Sequence, residues 1–208
     1  MPKDSPIETV ADLRGKRLGV WSTGAGAFKA ARAAIIDATG LDVVKDTKIS
    51  QLAPPALFKL LEKGDVDAMI NISSFTVQAA AQPDKFRSVF SPVVWAAPLV
   101  AWKSWVNENP ARAKNYAAAV EASFRWLRKP ENFDVAVKKY GTLAGVTTPA
   151  TIAVYKKWLG EKRIFLDQWD QKVVDAQWQF LEMAQHHNVP PAVPDKNAHA
   201  LLITEPKG

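Results

Sequence analysis

The spacing of apolar and polar positions changes its period several times along the chain. KRLGVW, over 16–21, predicts a short buried strand. It runs into Ser22, Thr23, Gly24, Ala25 and Gly26, a turn whose hydroxyls suit helix N-cap positions. Phe28, Ala31, Ile35 and Ile36 then recur at helical spacing, which predicts one apolar helix face, and Gly40 closes that helix. A second strand is expected over 47–52. Pro54 and Pro55 open the next helix, because proline's missing amide hydrogen is harmless in a first turn. Leu57, Leu60 and Leu61 face inward on it, and Gly64 ends it. DAMINI, over 67–72, predicts a third strand; Ser73 or Ser74 then caps a short helix reaching Gln82, and 87–90 reads as a strand at the sheet margin.

Strands alternating with helices imply an α/β fold with a parallel sheet joined by right-handed crossovers. Ligands of such sheets bind beyond the carboxyl ends of the strands. Here those ends are marked by Ser22 and Thr23, by Ala53 and Pro54, and by Ser73 and Ser74.

After Pro98 the pattern becomes helical. One more strand is expected over 99–102. Asn109 and Pro110 form a cap followed by proline at the first helical position, and Tyr116, Val120, Phe124 and Leu127 continue one apolar stripe. Lys129 and Pro130 restart a helix to Tyr140 with Gly141 at its end. Thr148 and Pro149 open another to Leu159, and Asp167 caps a long one from Gln168 to about His187. The segment from Val189 onward is proline-rich and predicts an extended tail. Trp102, Trp105, Trp126, Trp158, Trp169 and Trp178 fall on helical or strand spacing and are expected in the core or at a lobe interface.

Composition narrows the chemistry. The 208 residues are 48% hydrophobic and 23% charged, which is ordinary for a globular chain. With no cysteine, disulfides, thiolate catalysis and cysteine zinc sites are excluded. No apolar run approaches the ~20 residues of a membrane span, and the polar start has no signal-peptide core. The net charge of +6 is spread among acids without a basic block, so it speaks to solubility and a mild bias toward anionic ligands rather than to nucleic acid. The histidines, His186, His187 and His199, come late, and the adjacent pair points to different helix faces, so no metal site is expected. There is no GxSxG elbow, and GAGAF has the spacing of neither a P-loop nor a dinucleotide fingerprint. Neither hydrolysis nor nucleotide binding is indicated.

The opening DLRGKRLGV, the STGAG turn, the LAPPALFKLLEKGDVDAMI block and the later WKSWVNENPARAKNYAAAVEASFRWL resemble, in order and spacing, one family. It is that of the periplasmic substrate-binding proteins of ABC importers for nitrate, sulfonate, taurine and thiamine-precursor ligands. The likeness runs from about Ile7 to about Tyr140. It implies a type II periplasmic-binding-protein fold: one complete parallel-sheet lobe at 7–96, then a hinge return strand and the helical part of the other lobe, with an extended tail, at 97–208. Members of the family carry a further N-terminal portion, so the second lobe is expected to be incomplete here. Cover for it would come from another copy or a partner chain.

The resemblance also implies capture of a small organic anion, delivery to ABC permease and ATPase subunits, an extracytoplasmic location, no cofactor and no catalysis. Alternatives of the same fold are a non-transport interaction or sensing module and a pyrimidine-forming enzyme. The candidate contacts are Ser22, Thr23, Gly24 and Gly26, where free amides at a helix start would meet an anion; a plain N-cap is the other reading of that turn. Ser73, Ser74 and Phe75 follow the third strand at the matching height, and Trp95 sits near the expected hinge, to stack on a ligand or to pack the crossover. Gln51 and Asn71 either line the cleft or point away, Pro54 and Pro55 shape its rim, and Asp67 is structural.

Overall fold

A computed structural model describes residues 1–70, 73–91, 101–144, 146–161 and 171–189. Strand β1 (Arg17–Val20) is followed by α1 (Gly26–Thr39), the short α2 (Val43–Asp46), β2 (Lys48–Gln51), α3 (Pro54–Lys63), β3 (Ala68–Met69) and α4 (Ser73–Ala80). The strands form one parallel sheet in the order β2-β1-β3, with Leu18 opposite both Ile49 and Ala68. Gly40 and Gly64 take positive φ, 71° and 73°, and close α1 and α3 as the sequence predicts.

Alternation along β1 assigns its two faces. Leu18 and Val20, each 1% exposed, pack with Phe28 and Ile35 of α1 and with Ile7, Val10 and Leu13 of the N-terminal segment. Gly19 points to the other face. A Cβ there would stand 3.0 Å from Leu57 Cδ2 and 3.5 Å from Val66, so α3 lies on the sheet where β1 has no side chain. Phe58, Leu61, Val66 and Phe86 fill the rest of that face, the two phenyl rings 5.0 Å apart.

Residues 87–90 do not form the expected marginal strand. Phe86 makes a lone antiparallel bridge to Pro2, and the Arg87 guanidinium bonds the carbonyls of Lys3 (3.0 Å), Ser5 (2.7 Å) and Ile7 (2.8 Å). A side chain, rather than a ladder, ties this segment to the N-terminus. Asp67 is structural as expected: it accepts the Arg17 backbone N–H at 2.8 Å and the guanidinium at 2.6 Å, joining the starts of β1 and β3.

The remaining described elements are helices: α5 (Lys103–Glu108), α6 (Pro110–Leu127), α7 (Phe133–Ala144), α8 (Pro149–Gly160) and α9 (Gln171–His186). Of the strand expected over 99–102, Leu99 and Val100 lie outside the described residues. Trp102 is the N-cap of α5. Asn109 occupies the N-cap of α6, yet its side-chain amide donates back to Trp105 O at 3.1 Å instead of capping. Gly141 does not end α7. It lies inside the helix, where a Cβ would come within 2.5 Å of Val146 O, so glycine serves close backbone approach there. Thr148 caps α8 through the Thr151 N–H at 3.2 Å. The helix foreseen from Gln168 is described from Gln171 only, and Asp167, Trp169 and the tail lie outside the described residues.

Three of these helices, α7, α8 and α9, pack back on the α/β part. Phe180, Ala184 and Val189 cover Ala30 and Ala33 of α1, with His187 Nε2 3.1 Å from Asp37. α1 therefore has two buried faces, not the single one its periodicity suggests. Val77 of α4 packs with Val137, Val146, Tyr155 and Leu159. By contrast α6 has no buried residue, and Tyr116, expected on its apolar stripe, is 59% exposed. The tryptophans divide accordingly. Trp178 is in the core and Trp158 packs half-buried, but Trp102 is 83% exposed and Trp105 and Trp126 each 41%.

Candidate functional site

With the strands parallel and β1 central, all their carboxyl ends lie along one edge of the sheet. Helices α1 and α3 start at that edge, and α4 begins four residues beyond Met69. Helix N-termini carry partial positive charge and free amide hydrogens, so the edge is electrostatically suited to oxyanions.

The turn between β1 and α1 is built as follows. Ala25 N–H donates to Ser22 O at 3.2 Å, which bends the chain immediately after Trp21. Gly24 N–H donates to Ser22 Oγ at 3.2 Å. Thr23 gives both its donors to one atom, the side-chain oxygen of Gln51: the backbone N–H at 2.8 Å and the hydroxyl at 3.1 Å. The N-cap of α1 is Ala25, with no side-chain bond to the first turn, and Gly26 is the first helical residue. The turn's hydroxyls therefore do not cap α1, contrary to the sequence expectation. An alanine has no acceptor to offer, so the first-turn amides of α1 are left without a side-chain cap.

Beside the turn is a shallow depression lined by Val20, Trp21, Ser22, Ala25, Phe28 and Ile70. Trp21 is half exposed at its rim, an apolar surface next to the polar turn. One usable signal for Trp21 lies in its position, directly after a strand at the ligand-bearing end of a parallel sheet. Gln51, left open between lining the cleft and pointing away, is turned onto Thr23.

Of the expected contacts, Ser22, Thr23, Gly24 and Gly26 are thus brought together in one turn. Ser73, Ser74 and Phe75 fall in the first turn of α4, at the same sheet edge, with their side chains outside the described residues. Trp95 and Asn71 also lie outside the described residues. The shifted titrations sit elsewhere: hydrogen bonds from Arg32 and Arg17 hold Asp42 and Asp67 below the usual carboxylate range, both as structural pairs.

Comparison with known proteins agrees with this architecture. The periplasmic aliphatic sulphonate binding protein SsuA of Escherichia coli superposes with a TM-score of 0.65 at 20% identity, over 92% of this chain and 61% of that one. The alkanesulfonate-binding protein SsuA of Xanthomonas axonopodis pv. citri, solved bound to MOPS, gives 0.63 at 16% identity, over 92% and 65%. A putative sulfonate ABC transporter protein, the periplasmic sulfonate-binding SsuA of Methylobacillus flagellatus KT, gives 0.67 at 18% identity, over 93% and 59%. The fold is that of the type II periplasmic binding proteins, and the chain spans about three fifths of the length of these structures. A family model described as NMT1/THI5 like matches residues 1–132, and the chain belongs to that family. A search of curated protein sequences found no match.

Proposed function

We propose that this chain is a solute-binding component of an ABC-type importer and that its ligand is a small organic oxyanion of the sulfonate kind. The observation that carries the reading is the turn from Ser22 to Gly26. It leads from the central strand into an α1 whose N-cap offers no side-chain acceptor, with an exposed tryptophan alongside. An oxyanion would take those free amides while Trp21 covers the ligand's apolar end. Ser73, Ser74 and Phe75 would approach from the start of α4, and Trp95 from the hinge side. Similarity to sulfonate-binding proteins supports a sulfonate over nitrate, and the periplasmic location of two of them supports an extracytoplasmic one here. Permease and ATPase subunits would be the partners.

The residues at 7–96 are the ligand lobe in this reading, and those at 97–208 contribute to the opposite lobe. Because the solved relatives are longer, the turn supplies only part of a closed site, and we expect affinity weaker than submicromolar for this chain by itself. A thermal melt against alkyl and aryl sulfonates, carboxylates, nitrate and pyrimidines tests the proposal. Saturating one site at a hundredfold excess over Kd stabilises by about 2.7 kcal/mol. A melt raised by sulfonates supports the reading. A cooperative melt that no oxyanion moves would overturn it, and one moved by pyrimidines alone would favour the pyrimidine-forming relatives of the family.

A further inference from the structure

Thr23 has two donors at the candidate site, and both are already occupied. Gln51 Oε1 accepts the backbone N–H at 2.8 Å and the hydroxyl at 3.1 Å, the convergent geometry an oxyanion oxygen would adopt. The strands do not need this bond to keep their register. Val20 already lies opposite Gln51 in the ladder, and Leu52 N–H donates to Val20 O at 3.1 Å just beyond it. The side-chain bond is a second link laid over a finished pairing, between the turn after β1 and the exposed end of β2.

We propose that Gln51 is an internal ligand of the Ser22-to-Gly26 turn, holding the Thr23 donors until an oxyanion displaces it. The inference rests on the oxyanion reading of this turn. Its physical content is competition. A neutral amide oxygen is a moderate acceptor, whereas a sulfonate or carboxylate oxygen makes charge-assisted bonds roughly twice as strong. The latch therefore sets a threshold: the apparent affinity of every ligand that uses Thr23 is lowered by the fraction of time Gln51 is released. A net hydrogen bond of ordinary strength corresponds to a reduction of about fivefold. Gln51 is on this account a positioning residue that opposes binding, not a ligand contact.

The sign of the effect separates these roles. Gln51→Met keeps the length of the side chain and removes the acceptor; Gln51→Glu replaces the amide with a charged acceptor that holds Thr23 harder and repels anions. The experiment measures Thr23 amide exchange by NMR in each folded variant, then titrates with ethanesulfonate. Gln51→Met is expected to speed Thr23 exchange and to tighten ethanesulfonate about fivefold; Gln51→Glu is expected to weaken it by about tenfold or more. Unchanged Thr23 exchange in Gln51→Met overturns the latch. Faster exchange with unchanged or weaker ethanesulfonate binding overturns the competition and makes Gln51 a staple or a direct contact. If Thr23 exchange responds but no variant, wild type included, binds any sulfonate, it is the oxyanion reading that has failed, and the competition falls with it.

Discussion

Arg32 and Asp42 meet side-on in a two-pronged pair, Nε to Oδ1 and Nη2 to Oδ2, each at 2.7 Å, with less than a fifth of either side chain exposed. Asp42 is also the N-cap of α2, accepting the Val44 N–H at 3.1 Å. One carboxylate thus fastens α1 to the turn that leads into β2.

This pair makes the fold sensitive to acid. The Arg32 bond holds the Asp42 carboxyl below the usual carboxylate range, and Arg17 does the same to Asp67. A folded value below the unfolded one gives stability that is complete above the unfolded carboxylate value of about 3.9 and is lost as pH falls through the folded values. In that window the unfolded chain binds more protons, so stability rises with pH. Urea midpoints should be flat above about pH 5 and decline below about pH 4. Asp42→Asn should cost about 1–2 kcal/mol at neutral pH and flatten the acid limb; a variant with an unchanged limb would remove Asp42 as its source.

Gly19 should not tolerate a side chain. An added Cβ would meet Leu57 Cδ2 at 3.0 Å in a packed layer between β1 and α3. Gly19→Ala is expected to lower stability by about 1–3 kcal/mol, the usual range for overpacking. Gly19→Ala combined with Leu57→Ala should recover part of the loss relative to the sum of the single variants, as contacting residues do in a double-mutant cycle. Strict additivity in urea unfolding would count against this contact.

The Arg87 clasp is expected to hold the N-terminal segment in place. Its guanidinium serves the carbonyls of Lys3, Ser5 and Ile7, and Ile7, 1% exposed, sits in the main core. Hydrogen bonds from a charged group are worth about 1.5–3 kcal/mol each in favourable settings. Arg87→Ala should therefore lower stability by about 2 kcal/mol, with partial retention in Arg87→Lys, which cannot span three acceptors from one planar fork. Hydrogen exchange around residues 3–7 should rise in both variants.

Helix α6 should exchange its amide hydrogens well before β1 or α1. It runs for 18 residues without one buried side chain, while β1 and α1 both supply buried residues to the main hydrophobic cluster. Few buried contacts mean low local opening free energy. Mass-detected exchange that protected 110–127 as strongly as 17–39 would show that this face is covered in solution, by the tail, a second copy or a partner.

Much of the α/β part was legible from local signals. Gly40 and Gly64 end helices because only glycine takes positive φ without strain, and Pro54 and Pro55 start one because the first turn needs no N–H. The apolar runs around Leu18 and Ala68 are too short for helices and fit a buried parallel sheet. Such rules act within a few residues, so they survive without knowledge of the rest of the molecule. The location of the candidate turn, directly after the first strand at the ligand-bearing end of a parallel sheet, follows from the same alternation, whereas the central place of that strand does not.

The rest depends on which surface meets which. Ala30 and Ala33 carry no sign that α9 will cover them, since alanine suits an exposed helix as well as a close contact. Trp102, Trp105 and Trp126 are written like core residues and are exposed, because burial belongs to the neighbour as much as to the side chain. Residues 87–90 have a strand's composition, but Arg87 satisfies carbonyls that a ladder would otherwise have taken. Ser22 and Thr23 are capping residues by type, yet Ala25 takes the N-cap of α1, and the N–H and hydroxyl of Thr23 are given to Gln51, twenty-eight positions away. Local signals placed most turns and most helical or extended segments, with 87–90 and Gly141 as exceptions, because backbone preference is local. The partner of each side chain was decided in three dimensions, because a hydrogen bond or a packed face exists only once two distant segments share one place.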